Sequence, residues 1–126
     1  MNTLADLLNF VVSTLENSHY IKGVRVVEVD DFSQEQFIFK VRAKLGNKKT
    51  LQVRIYYNHG HLDYAYQLIE NSQPVLRWDN KEHFPEISSY PHHFHTPVEK
   101  VESSSLSGDL EHDLPIILNY LASMEN

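Results

Sequence analysis

The feature that most limits what this chain can fold into is a double alternation of apolar and polar residues between Gln36 and Tyr57. Phe37, Phe39, Val41 and Ala43 alternate with Lys40, Arg42 and Lys44. After a tight turn over Leu45–Lys48, which contains Gly46 and Asn47, Leu51, Val53, Ile55 and Tyr57 alternate with Gln52, Arg54 and Tyr56. Successive side chains of a strand point to opposite faces, so this period specifies a β-hairpin with one apolar face and one polar, basic face.

Flanking segments extend the same sheet. Val24–Val29 is rich in β-branched residues, and its apolar phase shifts between Val26 and Val27, which predicts a first strand carrying a bulge or buried on both sides. The turn Asn58-His59-Gly60 leads into His61–Ile69, where Leu62, Tyr64, Tyr66 and Leu68 share a face. Asn71–Pro74 reads as a loop, and Val75–Trp78 as a short further strand. Leu4, Leu7, Leu8, Val11 and Leu15 recur at helical spacing with Thr3 and Asp6 as a cap, predicting a helix over Leu4–Glu16 whose stripe Val12 widens. Leu110, Leu114, Ile117, Leu118 and Leu121 predict a C-terminal helix, with Asp113 as its cap and Pro115 in its first turn; Ser103–Gly108 is the connection before it. The expected architecture is α+β: an antiparallel four-stranded meander, five-stranded if Val75–Trp78 joins, with the N-terminal and C-terminal helices packed on one face. A length of 126 residues fits one domain, residues 1–126.

Composition narrows the chemistry. The chain has no cysteine, which excludes disulfides, thiolate metal sites and cysteine nucleophiles. Met1–Leu15 lacks the basic start of a secretory signal and no apolar run is long enough to span a bilayer, so no membrane association and a cytoplasmic location are expected. The formal net charge of -6 argues against indiscriminate nucleic-acid binding. Charge is nevertheless divided: Lys40, Arg42, Lys44, Lys48, Lys49 and Arg54 fall in the hairpin without an acidic residue, whereas Glu99, Glu102, Asp109, Glu111, Asp113 and Glu125 face only Lys100 towards the end. Lys40, Arg42, Lys44 and Arg54 with Tyr56 could bind phosphates and stack a base, hold an acidic protein, or form an ordinary solvated sheet face.

Between Asp79 and Val98, Pro85, Pro91 and Pro97 exclude a long regular element. The segment Arg77–His95 holds four of the eight histidines, His83, His92, His93 and His95. Imidazole titrates near neutral pH and ligates metals, so the cluster supports either proton transfer or coordination. In an extended backbone His93 and His95 project to one side and His92 to the other. Such a pair could clamp a divalent metal with Asp79 or His83 as third ligand, and His59 and His61 form a second pair of the same spacing. Without metal, His93 and His95 could serve as an acid/base pair for RNA cleavage, with Arg77 stabilising the phosphorane charge. A structural reading stands beside these, in which Trp78, Phe84 and Tyr90 fill the core and the histidines satisfy backbone carbonyls. For His19, His59, His61 and His112 taken singly the structural reading is favoured.

The runs Arg77-Trp78-Asp79-Asn80, His83-Phe84-Pro85 and Tyr90-Pro91-His92-His93-Phe94-His95, in this order, resemble the TumE family of toxin–antitoxin toxins. That family shows an Arg-aromatic-Asp-Asn run, a histidine-proline segment and an aromatic-Pro-His-His-x-His ending. The likeness extends to the N-terminal helix, the tyrosine-bearing strand and the acidic C-terminal helix. One departure stands out: where the family often has Ala-Pro-His-His-Pro, this chain has Lys81-Glu82-His83-Phe84-Pro85, so Phe84 replaces a histidine, which would weaken the protein if that position were catalytic.

The resemblance implies a toxin encoded beside a small DNA-binding antitoxin, with RNA cleavage as the expected activity. On this reading Arg77, Asp79, His92, His93 and His95 surround one catalytic site, and Lys40, Arg42, Arg54, Tyr56, Asn80 and His83 contact substrate. No cofactor is required. A non-catalytic protein- or nucleic-acid-binding module with a structural histidine-rich loop, and a metal-dependent phosphodiesterase, are the alternatives.

Overall fold

The computed structural model describes residues 2–46 and 48–124. Asn47 of the expected turn, Met1 of the N-terminal segment and Glu125 of the acidic run lie outside them. The described chain runs α1 (Leu4–Glu16), β1 (Ile21–Ser33), β2 (Gln36–Leu45), β3 (Lys49–Asn58), β4 (His61–Glu70), β5 (Gln73–Asp79), β6 (His93–His95), β7 (Val101–Ser103) and α2 (Leu110–Met124). All strands join in sequence order into one antiparallel meander.

The class matches the expectation, but the sheet has seven strands rather than four or five. β6 and β7 are three residues each. An alternation this short carries no periodic signal against a proline-rich background, and only pairing with β5 extends the backbone there. β1 is also longer than Val24–Val29, and its register shifts between Val26 and Glu28, which makes the phase change in the sequence a bulge.

Cross-strand register keeps the apolar face continuous. Val41 pairs with Val53, Val53 with Tyr66, Tyr66 with Trp78 and Trp78 with Phe94. Phe39, Ile55 and Tyr64 make a parallel row beside it. Most of these side chains are fully buried, each worth about 1.5–3 kcal/mol of apolar burial. The turns help to fix this register. His59 and Gly60 between β3 and β4, and Asn71 and Ser72 between β4 and β5, all have positive φ, as two-residue turns matching the strand twist require.

Both helices cover that apolar face. Thr3 caps α1 by accepting the Asp6 amide at 3.1 Å, and α1 buries Leu7, Val11 and Leu15. α2 buries Leu110, Leu114, Ile117, Leu118 and Leu121, and its Tyr120 meets Trp78 and Phe94 edge-on. The Tyr20 hydroxyl, just after α1, donates to the Leu118 carbonyl and ties the two helices together.

The start of α2 differs from expectation. The helix begins one turn earlier, because Asp109 accepts the Glu111 amide at 3.2 Å and acts as the cap, which places Pro115 past the first turn. Asp113 is instead fully buried and reaches back to the Ser107 and Gly108 amides at 2.9 and 2.8 Å. Gly108, at φ +90, occupies a conformation that a residue with a Cβ resists. Asp113→Ala leaves two loop amides without their acceptor; urea unfolding should show a loss of about 1–3 kcal/mol, and an unchanged midpoint would contradict this role for the carboxylate.

Candidate active site

The site forms on the sheet face opposite the helices. β5 presents Trp78 to the core, so its neighbours Arg77 and Asp79 must point the other way. β6 repeats the logic, with Phe94 stacked on Trp78 at 4.7 Å between centroids and His93 and His95 on the opposite side. Register then sets Arg77 directly across from His95 and Asp79 across from His93. Two short strands thus bring four polar side chains into one cluster.

Asp79 is its centre. The side chain is 2% exposed and touches His93 Nε2 at 2.9 Å through Oδ1 and Arg77 Nε at 2.8 Å through Oδ2. The Arg77 Nε–H is not aimed along that contact, so the pair is held by charge rather than by a directed hydrogen bond. Oδ1 also accepts the Lys81 amide at 3.1 Å, which fixes the carboxylate as the chain leaves β5.

His93 is 1% exposed, and its Nδ1 donates to the Pro91 carbonyl at 3.1 Å, which turns Nε2 towards Asp79 and towards His95 Nε2 at 3.1 Å. His95 Nε2 also faces Arg77 Nη2 at 3.2 Å. Accessibility increases along this chain of contacts: Asp79 and His93 are sealed, whereas the His95 side chain is 28% and the Arg77 side chain 40% exposed. Burial pushes the His95 pKa below its ordinary value, and the Arg77 charge acts in the same direction.

Phe84 belongs to this site. Its ring lies edge-on to His93 at 4.8 Å and to His95 at 5.9 Å, so it covers the buried imidazole. The residue at which the chain departs from the motif of its resemblance is therefore in contact with the cluster. Trp78 is in the core as the structural reading requires, but Tyr90 is 42% exposed.

The other sequence-predicted residues are distributed elsewhere. His92 faces the helix side, where its Nδ1 lies 2.7 Å from the Tyr64 hydroxyl and its ring stacks on Tyr64. Burial lowers its pKa, while nearby Asp113 partly opposes the shift; Tyr64 is raised by burial and by the Asp113 and Asp79 charges. Asn80 is engaged by β4, accepting the Tyr64 amide at 3.0 Å and donating to the Leu62 carbonyl at 2.9 Å. His83 is exposed, with its ring against Phe84. His59 and His61 contact Asn58 and Asp63 at the β3–β4 turn and do not join the cluster. Lys40, Arg42, Arg54 and Tyr56 share the open face with it, Lys40 in an ion pair with Glu28 at 3.5 Å and Tyr56 accepting from Gln36 at 2.9 Å. No sequence signal pointed to the Tyr64–His92 or Arg42–Gln52 contacts, since each joins residues far apart in the chain or across a turn.

Asp79, His93 and His95 could also hold a metal ion, since one ligand atom from each lies within 4.8 Å of the others. The Pro91 carbonyl on His93 Nδ1 is the kind of supporting hydrogen bond that orients metal-bound imidazoles. Arg77 opposes this use by bringing a fixed positive charge to the same carboxylate.

A family model described as Toxin TumE matches residues 11–125, nearly the whole chain. The chain belongs to the TumE toxin family. Its function is accordingly that of a toxin, and TumE membership implies an antitoxin partner. No curated protein and no solved structure gives a significant match. Among the described residues no helix is long and apolar enough to cross a membrane.

Two measurements follow from the site of this TumE-family chain. Asp79→Asn keeps the shape but removes the charge that Arg77 and His93 share, and should cost on the order of 3 kcal/mol in chemical denaturation; a variant as stable as the parent would dismiss Asp79 as the organising group. His92 and His95 have folded pKa values below the ordinary 6.5, so the unfolded chain binds more protons and stability is lost as pH falls from 6.5 through the folded values. NMR titration of their ring protons should give midpoints below 6.5, and midpoints at or above it would refute the burial argument.

Proposed function

We propose that this TumE-family toxin is an endoribonuclease that cleaves RNA by histidine acid/base chemistry. The observation that carries the reading is the gradient from the sealed Asp79–His93 contact to an accessible His95 beside an accessible Arg77. His95 takes the proton of a ribose 2′-hydroxyl, whose oxygen attacks the adjacent phosphorus. Arg77 stabilises the charge that develops on the phosphoryl oxygens. The P–O5′ bond breaks, and the 5′-oxygen leaves with the proton returned by His95. The products are a 2′,3′-cyclic phosphate and a 5′-hydroxyl.

Asp79 and His93 are positioning residues in this scheme. His93 has no access to substrate and acts through His95, so it is one half of a relay rather than a second independent acid. Phe84 excludes water from the relay. His92, on the helix side, supports the loop. The antitoxin we expect is a small DNA-binding protein encoded beside the toxin, and the cytoplasm is where such a pair would meet RNA.

A second reading, a metal-dependent phosphodiesterase, is favoured by the convergence of Asp79, His93 and His95 on one point. Toxin freed from its antitoxin should cut single-stranded RNA in the presence of a chelator, and His95→Ala or Arg77→Ala should each lower kcat by about a hundredfold or more. RNA left intact both with and without divalent metals would remove the nuclease assignment. Activity abolished by chelator, with a stoichiometric transition metal in protein purified without a histidine tag, would transfer it to the second reading. In cells lacking the antitoxin, growth arrest by the wild type but not by His95→Ala is the expected parallel result.

A further inference from the structure

The open face carries a second feature away from the histidines. A cleft of about 610 Å³ lies at the end of this face beside the β2–β3 and β4–β5 turns, lined by Arg25, Arg42, Lys44 and Lys48 together with the apolar Val24 and Ile69. Among the described residues that line it, none is acidic. In a chain of net charge -6, four cations around one concavity are a local reversal of the overall balance.

The strand register makes this reversal more pointed. Arg25 sits directly across from Arg42 in the β1–β2 ladder. Like charges at facing positions destabilise a sheet unless something neutralises them. One row away the sheet does neutralise its cation: Lys40 faces Glu28 and pairs with it at 3.5 Å. Glu28 also borders a shallow depression with Arg25 and Arg42, but its ion pair is with Lys40, so a single carboxylate is shared among three cations there.

The same row leads to the candidate active site. Arg42 faces Gln52, Gln52 faces Gln67, Gln67 faces Arg77, and Arg77 faces His95. Cations thus stand at both ends of the row and two neutral amides between them. Gln52 Oε1 accepts from Arg42 Nε at 3.0 Å, which fixes the guanidinium along the row and leaves its terminal nitrogens for an anion. Three strand spacings separate Arg42 from Arg77, a distance of about 14 Å. That span suits phosphates two nucleotides apart on an extended strand rather than two oxygens of one phosphate.

We propose that the Arg25–Arg42–Lys44–Lys48 cleft is a phosphate-binding subsite for single-stranded RNA, the far end of a track that crosses the open face through Gln52 and Gln67 to Arg77. The assignment of RNA rests on the nuclease reading of the site at the other end, and the amides between suit sugar and base edges. Single-stranded RNA fits better than an acidic protein segment, because the cleft is joined to Arg77 by a row of neutral amides that suits a repeating backbone of phosphates and sugars, while Val24 and Ile69 in the cleft can meet a base.

The test is binding, independent of cleavage. A short single-stranded RNA with 2′-O-methyl riboses has no free 2′-hydroxyl to attack, so its affinity can be measured by fluorescence anisotropy on the intact toxin across a salt series. Arg25→Gln combined with Arg42→Gln should weaken binding tenfold or more and flatten the salt dependence by about 0.7 for each phosphate that the cleft no longer neutralises. The pair of substitutions removes a facing repulsion on an exposed edge, so the thermal midpoint should hold or rise; a fall in midpoint would show that the two arginines serve the fold. Affinity and salt slope equal to the wild type would overturn the subsite. So would tight binding of a polyglutamate peptide with none of the RNA, which would make the cleft a protein-docking surface. The nuclease reading fails separately: RNA that binds with the expected dependence on Arg25 and Arg42 but is never cut leaves the subsite standing and removes the cleavage chemistry.

Discussion

Lateral pairing of β2, β3 and β4 is the constraint on which the rest of this molecule depends. Their register runs unbroken from Gln36–Asn58 to Lys44–Thr50 and from Lys49–Glu70 to Asn58–His61. Because side chains alternate, a slip of one residue would exchange the faces, sending Lys40, Arg42 and Arg54 into the core and Phe39, Val41 and Val53 into water. The apolar face recruits both helices, and this leaves the other face open. The candidate active site and the basic cleft both sit on what the helices do not cover.

At the edge of that face a different force takes over. β6 is only three residues long and would not persist alone. It is held by the Trp78–Phe94 stack on one side of the sheet and by the Asp79–His93 contact on the other. The packing that seals Asp79 from water also strengthens its interactions with Arg77 and His93. The site and the last strands are therefore one cooperative unit, and a change to the carboxylate would be felt in the fold as well as in any chemistry.

Phe84 shows how a departure from a family motif can be read physically. Placed edge-on against His93 and His95, its ring supplies no proton or ligand, but it lowers the polarity around both. The remaining polar groups, Arg77, Asp79, His93 and His95, already contact one another without a further imidazole. In this toxin the position acts as a cover on the His93–His95 contact.

Alternation by itself determined the hairpin, the two faces, the change of phase near Val27 and the divergence of His92 from His93 and His95, because strand geometry maps sequence parity directly onto direction. Helical spacing likewise determined α1 and most of α2, and the Arg77–His95 motif already identified the family. Only the tertiary structure decided that His93 is sealed while His95 is reachable, that Asn80 serves β4, that Asp109 rather than Asp113 caps α2, and that Arg25 faces Arg42. Each of these depends on which strand lies beside which and on what a distant loop covers. Parity along one strand gives the direction of a side chain, but the neighbour it meets there is set by the register of the next strand, and its access to water by the segment folded over it.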